Sequence, residues 1–191
     1  MDIQKAERLI LASNSPRRKF IMQNAGYKFD IVVSEFAERT SSDPVETAVS
    51  NAEGKALDVW NRLGDEKAAV LGADTVVFLE KRILGKPADA RDAKKMLREL
   101  SGKTHRVITA YAVAWAGGLK SGYSVSEVKF KSLSDKLIED YVASGLPLDK
   151  AGAYGIQDGF PLVDTYTGSI DNIIGLPLSD VCKLLDGILE K

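Results

Sequence analysis

The residues that most clearly could bind a ligand or take part in chemistry lie in the segment Leu9–Lys19, which reads LILASNSPRRK. Its apolar start predicts a short buried strand, and Ser15-Pro16 is typical of a helix start, because the hydroxyl caps an amide and proline stands where no donor is needed. A strand that runs directly into a helix N-terminus directs backbone N–H groups and the positive end of the dipole outward. Arg17 and Arg18 add permanent positive charge there. The segment therefore predicts an anion site, and the alternative is a solvated basic turn.

A second candidate is the aspartate within the run Ala68–Leu79. The run is apolar enough for a central strand buried on both faces, yet Gly72 and Asp74 interrupt it. Glycine inside a strand indicates a bulge or a close backbone approach. A carboxylate in so apolar a segment is costly to bury unless it meets a cation, a metal or good donors. Asp74 is therefore expected to bind Mg²⁺ or to activate water, and the alternative is an aspartate that caps a turn at the strand end.

Two further segments carry polar groups between residues that shape the backbone. Gly85-Lys86-Pro87 holds a lysine between a flexible and a rigid residue, which presents it as a fixed positive charge. The segment Asp149–Gln157 combines two glycines, a lysine, an aromatic ring and an amide, which together could read the edge of a nucleobase or form a plain surface turn. Lys55 falls on a predicted helix, where a lysine by itself indicates only a solvated position.

Hydrophobic periodicity and turn residues place these groups on alternating strands and helices. Strands are predicted at residues 9–12, 29–33, 68–79, 83–84, 104–115, 119–130 and 163–166. Helices are predicted from 16 to near 26, from 44 to 63, from 89 to 100, from 134 to near 145, and from 179 to 189. The second helix begins with a capping-box variant, Asp43-Pro44-Val45-Glu46. This order predicts an α/β domain.

Length and composition are those of an ordinary soluble globular protein. The chain has 191 residues, of which 45% are apolar and 28% charged, and this suits one domain with a substantial core. Its net charge of −1 gives duplex nucleic acid no global attraction, so phosphate binding must come from local clusters. The polar N-terminus argues against a signal peptide, and no apolar run approaches membrane-spanning length. We therefore expect a cytoplasmic protein with neither a nucleic-acid nor a membrane partner.

The residues most often used for nucleophilic or zinc chemistry are rare in this chain. Cys182 is the single cysteine and His105 the single histidine, which excludes an internal disulfide, a cysteine-rich metal site and a multi-histidine zinc site. No serine or cysteine motif accompanies His105, so we interpret it as structural, and we interpret Cys182 as a packed helical thiol. Arginine and lysine charge around a carboxylate instead indicates phosphoryl chemistry. The usual phosphate motifs, G-x-x-x-x-G-K-[ST] and G-x-G-x-x-G after a strand, are absent.

Seven short motifs follow one another along nearly the whole chain. They are LAS-x-SPRR at 11–18, SE at 34–35, GADTV at 72–76, GKP at 85–87, LSG-x-TH-x-V at 100–107, DKAGAYGIQ at 149–157 and GLPL at 175–178. Together they resemble the Maf (septum formation) family of nucleoside triphosphate pyrophosphatases. The form GADT, with Gln157, is similar to the branch that acts on dTTP and UTP.

The resemblance implies a fold, an activity and a cofactor. The fold would be α/β, with a mixed, twisted central sheet flanked by helices, in a single domain of two lobes over residues 1–191. It would be related to the inosine triphosphatase-like pyrophosphatases, with a nucleotide cleft between the lobes and often a homodimer. The implied reaction is hydrolysis of a nucleoside triphosphate to the monophosphate and pyrophosphate with Mg²⁺ or Mn²⁺.

The resemblance also assigns roles to particular residues. Asp74 matches the proton acceptor, and we expect Glu35 to join it in holding a metal while a water attacks the α-phosphorus. The other matched positions are Arg17, Thr75 and Gln157 for substrate choice, and Ser13, Arg18, Glu35, Lys55 and Lys86 in the cleft. The segment DGFPL after Gln157 and residues 167–172 depart from the family pattern, which could alter contacts with the base.

Three other readings of the sequence stay open. The chain could be a nucleotide-binding regulator of cell division that does not turn over its ligand. It could be a Maf-type pyrophosphatase that prefers 7-methyl-GTP, although that branch usually has a different residue after the aspartate. A purely structural domain would leave Asp74, buried in a strand beside ordered cations, without an explanation.

Overall fold

The computed structural model describes residues 5–190, whose regular elements alternate as an α/β fold. The strands are β1 (Arg8–Leu11), β2 (Asp30–Ile31), β3 (Ala68–Leu79), β4 (Arg82–Leu84), β5 (Thr104–Trp115), β6 (Gly118–Phe130) and β7 (Val163–Thr167). The helices are α1 (Pro16–Asn24), α2 (Pro44–Leu63), α3 (Ala90–Leu100), α4 (Asp135–Ala143), α5 (Ile170–Ile174) and α6 (Leu178–Asp186). Within residues 5–190, no helix is both long and apolar enough to cross a bilayer.

The strands form one mixed sheet in the order β2-β1-β3-β5-β6-β7, with β4 paired to β3. β1 lies parallel to both β2 and β3, with Leu11 opposite Leu71 in β3. The β3–β4 and β6–β7 pairs are antiparallel, and β6–β7 contains a register shift at Lys129/Phe130. Helical connections between parallel strands are the expected way to join them. The predicted α/β class with a mixed central sheet flanked by helices is confirmed.

Helix starts in the structure follow the predicted capping residues. Ser15 caps α1 by accepting the Arg18 N–H, and Asp43 caps α2 by accepting from Val45 N–H at 2.7 Å. Asp89 and Ser134, predicted as the first residues of their helices, cap α3 and α4 in the same manner. These bonds satisfy amides that the helix itself leaves without acceptors, which is why the local sequence predicts them.

Among the strands and α-helices, three differ most from the predicted ones. β2, predicted over five residues, is only two residues long and both are exposed, so it lacks the burial that would extend it. The last helix ends at Asp186 rather than 189, because the chain then pairs with Ala6 through the Ala6 N–H and the Ile188 carbonyl, 2.9 Å apart. α5 was not predicted, since five residues are too few to show a helical period.

The chain groups into two compact units. Within the described residues, the first comprises 5–74, 109–124 and 175–190, and the second comprises 75–108 and 125–174. In the first unit, α2 packs closely on β3 at Gly72, where a Cβ would collide with the Ala52 carbonyl oxygen and the Ala56 backbone nitrogen. Only glycine permits that approach, so Gly72 sets how near α2 lies to the strand that carries Asp74.

The second unit has its own apolar core around Phe130, with His105 and Tyr154 packed edge to face against its ring. His105 Nε2 lies 2.7 Å from the Tyr154 hydroxyl. Burial lowers the pKa of His105 to about 4, so the ring is neutral at physiological pH. His105 is the structural histidine that the sequence predicts.

Candidate active site

Asp74 lies on β3 with its carboxylate held from α2. Its Oδ1 is 2.7 Å from Lys55 Nζ, and its Oδ2 accepts a hydrogen bond from Asn51 Nδ2 at 3.0 Å. Asn51 and Lys55 stand one helical turn apart, so they share a face of α2. Asp74 is 7% exposed, and a carboxylate so buried requires this pairing. The arrangement fixes both oxygens while the lysine balances the charge.

Lys55 lies between two carboxylates. Its Nζ is 2.7 Å from Asp74 Oδ1 and 2.7 Å from Glu38 Oε1, and the Lys55 side chain is only 12% exposed. The helix alone indicates a solvated lysine, and the structure instead places this one in the candidate site. Among these three groups the carboxylates outnumber the ammonium by one.

Glu35, the predicted partner of Asp74, forms an ion pair with a different residue, Arg62. Its Oε1 is 3.4 Å from Arg62 Nη1, two turns along α2 from Lys55, and its side chain is 78% exposed. Its N–H donates to the Asp58 carboxylate at 2.8 Å. Glu38, three residues later, is the glutamate that contacts Lys55, the same lysine that contacts Asp74.

The loop before α2 owes its position to Asn51. The Arg39 N–H donates to Asn51 Oδ1 at 2.9 Å, and Asn51 Nδ2 donates to the Arg39 carbonyl at 3.0 Å. Asn51 therefore connects Asp74 to the residue that directly follows Glu38. Because this loop has no hydrophobic period, the sequence carries no signal for which of its glutamates faces the site. Asn51 does stand one helical turn before Lys55, so the two polar side chains share a face of α2.

The predicted anion turn is joined to the GLPL motif through Arg18. Arg18 Nε donates to the Gly175 carbonyl at 2.8 Å, and Nη1 donates to Ser13 Oγ at 3.1 Å. The Ser15 N–H also donates to Ser13 Oγ, at 3.3 Å. Two motifs more than 150 residues apart in sequence therefore meet at one guanidinium.

The electrostatic environment of Arg18 links this turn to the carboxylates. Burial lowers the pKa of Arg18, and the positive charge of Arg17 lowers it further. The negative charges of Asp74 and Glu38 raise it and so oppose the burial. A guanidinium keeps its proton under such opposing influences, so the first unit presents permanent cations and carboxylates in one neighbourhood. That combination suits a charged phosphate ligand.

The remaining predicted residues, Thr75, Lys86 and Gln157, belong to the second unit. Thr75 follows Asp74 on β3 and is partly buried, whereas Lys86 and Gln157 are exposed. The Gly152 N–H donates to the Gly85 carbonyl at 3.0 Å, which joins the GKP motif to the DKAGAYGIQ motif. The side chain of Gln157 donates to a residue that the sequence analysis did not assign to the site, Asp158.

The carboxylates of Asp74 and Glu38 are suitable ligands for a divalent cation that also binds the substrate. Among residues 5–190 there is no group of three or more histidine, cysteine, aspartate or glutamate side chains that could hold a metal ion. Asp74 and Glu38 are nevertheless two carboxylates that both contact the same ammonium group. Mg²⁺ typically binds through one or two carboxylates and completes its shell with water and substrate phosphates. Two carboxylates are therefore a sufficient protein contribution for such an ion.

Comparison with known proteins identifies the class. The chain has a fold like that of a HAM1 protein from Coxiella burnetii, with a TM-score of 0.52 at 15% identity over 94% of this chain and 98% of the other. A family model described as Maf-like protein matches residues 8–188. The chain belongs to the Maf family.

Relatives within that family carry a specific name. The chain is 45% identical over 177 residues to a dTTP/UTP pyrophosphatase from Thermococcus gammatolerans, covering 92% of this chain and 94% of the other. It is 46% identical over 186 residues to a dTTP/UTP pyrophosphatase from Alkaliphilus metalliredigens, with 93% of each covered.

Proposed function

We propose that this protein is a nucleoside triphosphate pyrophosphatase that hydrolyses dTTP and UTP to the monophosphate and pyrophosphate. The relatives named above support the substrate class. The observation that carries the proposal is the buried Asp74 held by Lys55 and Asn51, with Glu38 on the same lysine and Arg18 in the same electrostatic environment. A cytoplasmic location agrees with a substrate drawn from the nucleotide pool.

Asp74 and Glu38 are the residues that would hold Mg²⁺ or Mn²⁺. A divalent ion supplies charge neutralisation to the triphosphate and lowers the pKa of a bound water. The assignment of Glu38 replaces that of Glu35, because the carboxylate of Glu35 pairs with Arg62. Lys55 would keep both carboxylates in place as the substrate enters.

Asp74 is proposed to orient and deprotonate the water that attacks the α-phosphorus. Lys55 and Asn51 each occupy one oxygen of Asp74, which prevents rotation of the carboxylate. A base held in this way contributes through position as well as through proton transfer. The bond from the α-phosphorus to the bridging oxygen breaks, and pyrophosphate leaves as an anion.

We assign the neutralisation of the triphosphate and the departing pyrophosphate to Arg17, Arg18 and Lys86. Arg18 is fixed by Ser13 and Gly175 before any ligand arrives, so little reorganisation accompanies binding. Thr75 and Gln157 are proposed to contact the pyrimidine, because a neutral base requires hydrogen-bonding groups rather than charge. This division assigns phosphate binding to cations and base selection to uncharged side chains.

The test is a product analysis with dTTP and UTP in ¹⁸O-labelled water. Nucleoside monophosphate and pyrophosphate as first products support the proposal, and mass spectrometry locates the label on the monophosphate if the α-phosphorus is attacked. Diphosphate with free orthophosphate as first products would contradict it. Tight binding without any turnover would instead favour the regulator that the sequence leaves open.

A further inference from the structure

Asp158 is a nearly buried carboxylate with a complete set of partners in the second unit. Its side chain is 6% exposed. Oδ2 accepts from the Tyr141 hydroxyl at 2.6 Å and lies 3.3 Å from Lys150 Nζ, while Oδ1 accepts from Gln157 Nε2 at 2.8 Å. Asp158 thus connects the core of the unit to the exposed amide of Gln157.

The carboxylate is itself held in position. Tyr141 is fully buried, and its hydroxyl accepts the Gly155 N–H at 2.9 Å while donating to Asp158. Lys150, whose side chain is 8% exposed, donates to the Leu146 carbonyl as well as contacting the carboxylate. A Cβ at Gly155 would collide with the side chains of Gln157 and Asp158. Glycine at this position therefore allows the two side chains to pack directly on the backbone.

The bond from Gln157 determines which way its amide faces. An ionised carboxylate only accepts hydrogen bonds, so the NH₂ group of Gln157 must face Asp158. Turning the amide over would place Oε1 against a carboxylate oxygen, and two acceptors would then face each other without a proton. Within residues 5–190, Gln157 Oε1 accepts no hydrogen bond, so it is available to a ligand.

We propose that Asp158 is a positioning residue that fixes the Gln157 amide for uracil and thymine and against cytosine. This inference rests on the proposed function. In it, Gln157 Oε1 accepts the N3–H of the base, and the second hydrogen of Gln157 Nε2 faces a ring carbonyl. Cytosine presents the opposite order, because its N3 is an acceptor and its 4-amino group a donor. Reading cytosine would require the amide orientation that Asp158 disfavours.

The test compares UTP with CTP in the variant Asp158→Asn. Asparagine has nearly the same shape but both donates and accepts, so it permits either orientation of Gln157. We expect the ratio of kcat/KM for UTP over CTP to fall at least about fivefold, as for loss of a specific hydrogen-bond discrimination. Tyr141→Phe is the control, since it removes the hydroxyl that donates to Asp158 and accepts from Gly155 but keeps the carboxylate that accepts from Gln157. It should lower the Tm and change the ratio much less than Asp158→Asn does.

The outcomes separate this inference from the proposed function. An unchanged UTP to CTP ratio in folded Asp158→Asn overturns the inference alone, whereas a wild-type protein that hydrolyses neither dTTP nor UTP overturns the proposed function. If Asp158→Asn does not fold, the side-chain amide NMR signals of Gln157 in the wild type decide the matter. One slowly exchanging, downfield hydrogen supports the bond to the carboxylate, and two rapidly exchanging hydrogens overturn it.

Discussion

Each unit contains a nearly buried aspartate beside a nearly buried lysine, and each lysine also contacts a second acid that is more than half exposed. The groups are Asp74, Lys55 and Glu38 in the first unit, and Asp158, Lys150 and Asp149 in the second. In both, the charges sum to minus one. Burial and pairing with lysine therefore do not by themselves identify a catalytic aspartate.

The two aspartates differ in what else surrounds them. Asp158 receives the Tyr141 hydroxyl and the Gln157 amide in addition to its lysine, so its oxygens serve to hold a loop. Asp74 receives Lys55 and Asn51, and the buried guanidinium of Arg18 is within electrostatic range. A carboxylate with a guanidinium as well as a lysine in its neighbourhood suits phosphate chemistry, whereas one with a lysine and two neutral donors suits positioning.

The largest expected effect comes from exchanging one carboxylate at a time for its amide. Asp74→Asn should lower kcat for UTP by about 10²–10⁴, because it removes a positioned base. Asp158→Asn, the same change in the other unit, should retain kcat within about tenfold. Steady-state kinetics with folded variants check this, and an Asp74→Asn protein with more than about a tenth of wild-type kcat would remove Asp74 from catalysis.

A second comparison uses the glycine that shortly precedes each aspartate, Gly72 before Asp74 and Gly155 before Asp158. Gly72→Ala places a methyl group against the backbone of α2, where nothing can rotate away, so we expect a loss of about 1–3 kcal/mol in the free energy of unfolding. Gly155→Ala meets only the ends of the Gln157 and Asp158 side chains, so its loss should be smaller. Urea unfolding of both variants measures the difference, and equal losses would show that α2 yields as readily as a side chain.

The pH dependence of stability should originate partly in the second unit. Burial gives His105 a pKa of about 4, below its ordinary 6.5, so the unfolded chain binds more protons between these values. The contribution of His105 to stability is therefore fully present well above pH 6.5 and is lost progressively as the pH falls through 6.5 toward 4. Between pH 7.5 and pH 5 the loss from this group should be about 2 kcal/mol. Urea unfolding of His105→Gln at both pH values should show a shallower dependence than the wild type, and an identical dependence would contradict the assignment.

The smallest expected effect distinguishes two glutamates of one loop. Glu38→Gln should lower kcat/KM at limiting Mg²⁺ by about tenfold, since it removes a carboxylate that we assign to the cation. Glu35→Gln should leave kcat/KM nearly unchanged, because that carboxylate pairs with Arg62 at the surface. A magnesium titration of both variants decides between them. Greater sensitivity in Glu35→Gln would restore the partner that the sequence indicates.

The sequence by itself determined the features that depend on neighbouring residues. Ser15 and Asp43 predict the starts of α1 and α2, because a cap acts on amides two or three positions away. Asp74 stands out because a carboxylate within an apolar strand requires a partner. The order of the motifs was sufficient to indicate the family that the comparisons establish.

Only the tertiary structure decided which distant residues meet. Lys55 lies on a helix, where its sequence neighbours say nothing about its partner, and packing of α2 on β3 brings it to Asp74. Glu38 rather than Glu35 joins them because Asn51 holds the intervening loop, and no periodicity records that bond. The bond from Arg18 to the Gly175 carbonyl likewise joins residues that are far apart in the sequence. Local signals depend on a few adjacent residues, whereas the site depends on how whole elements pack, and that packing is a property of the folded chain.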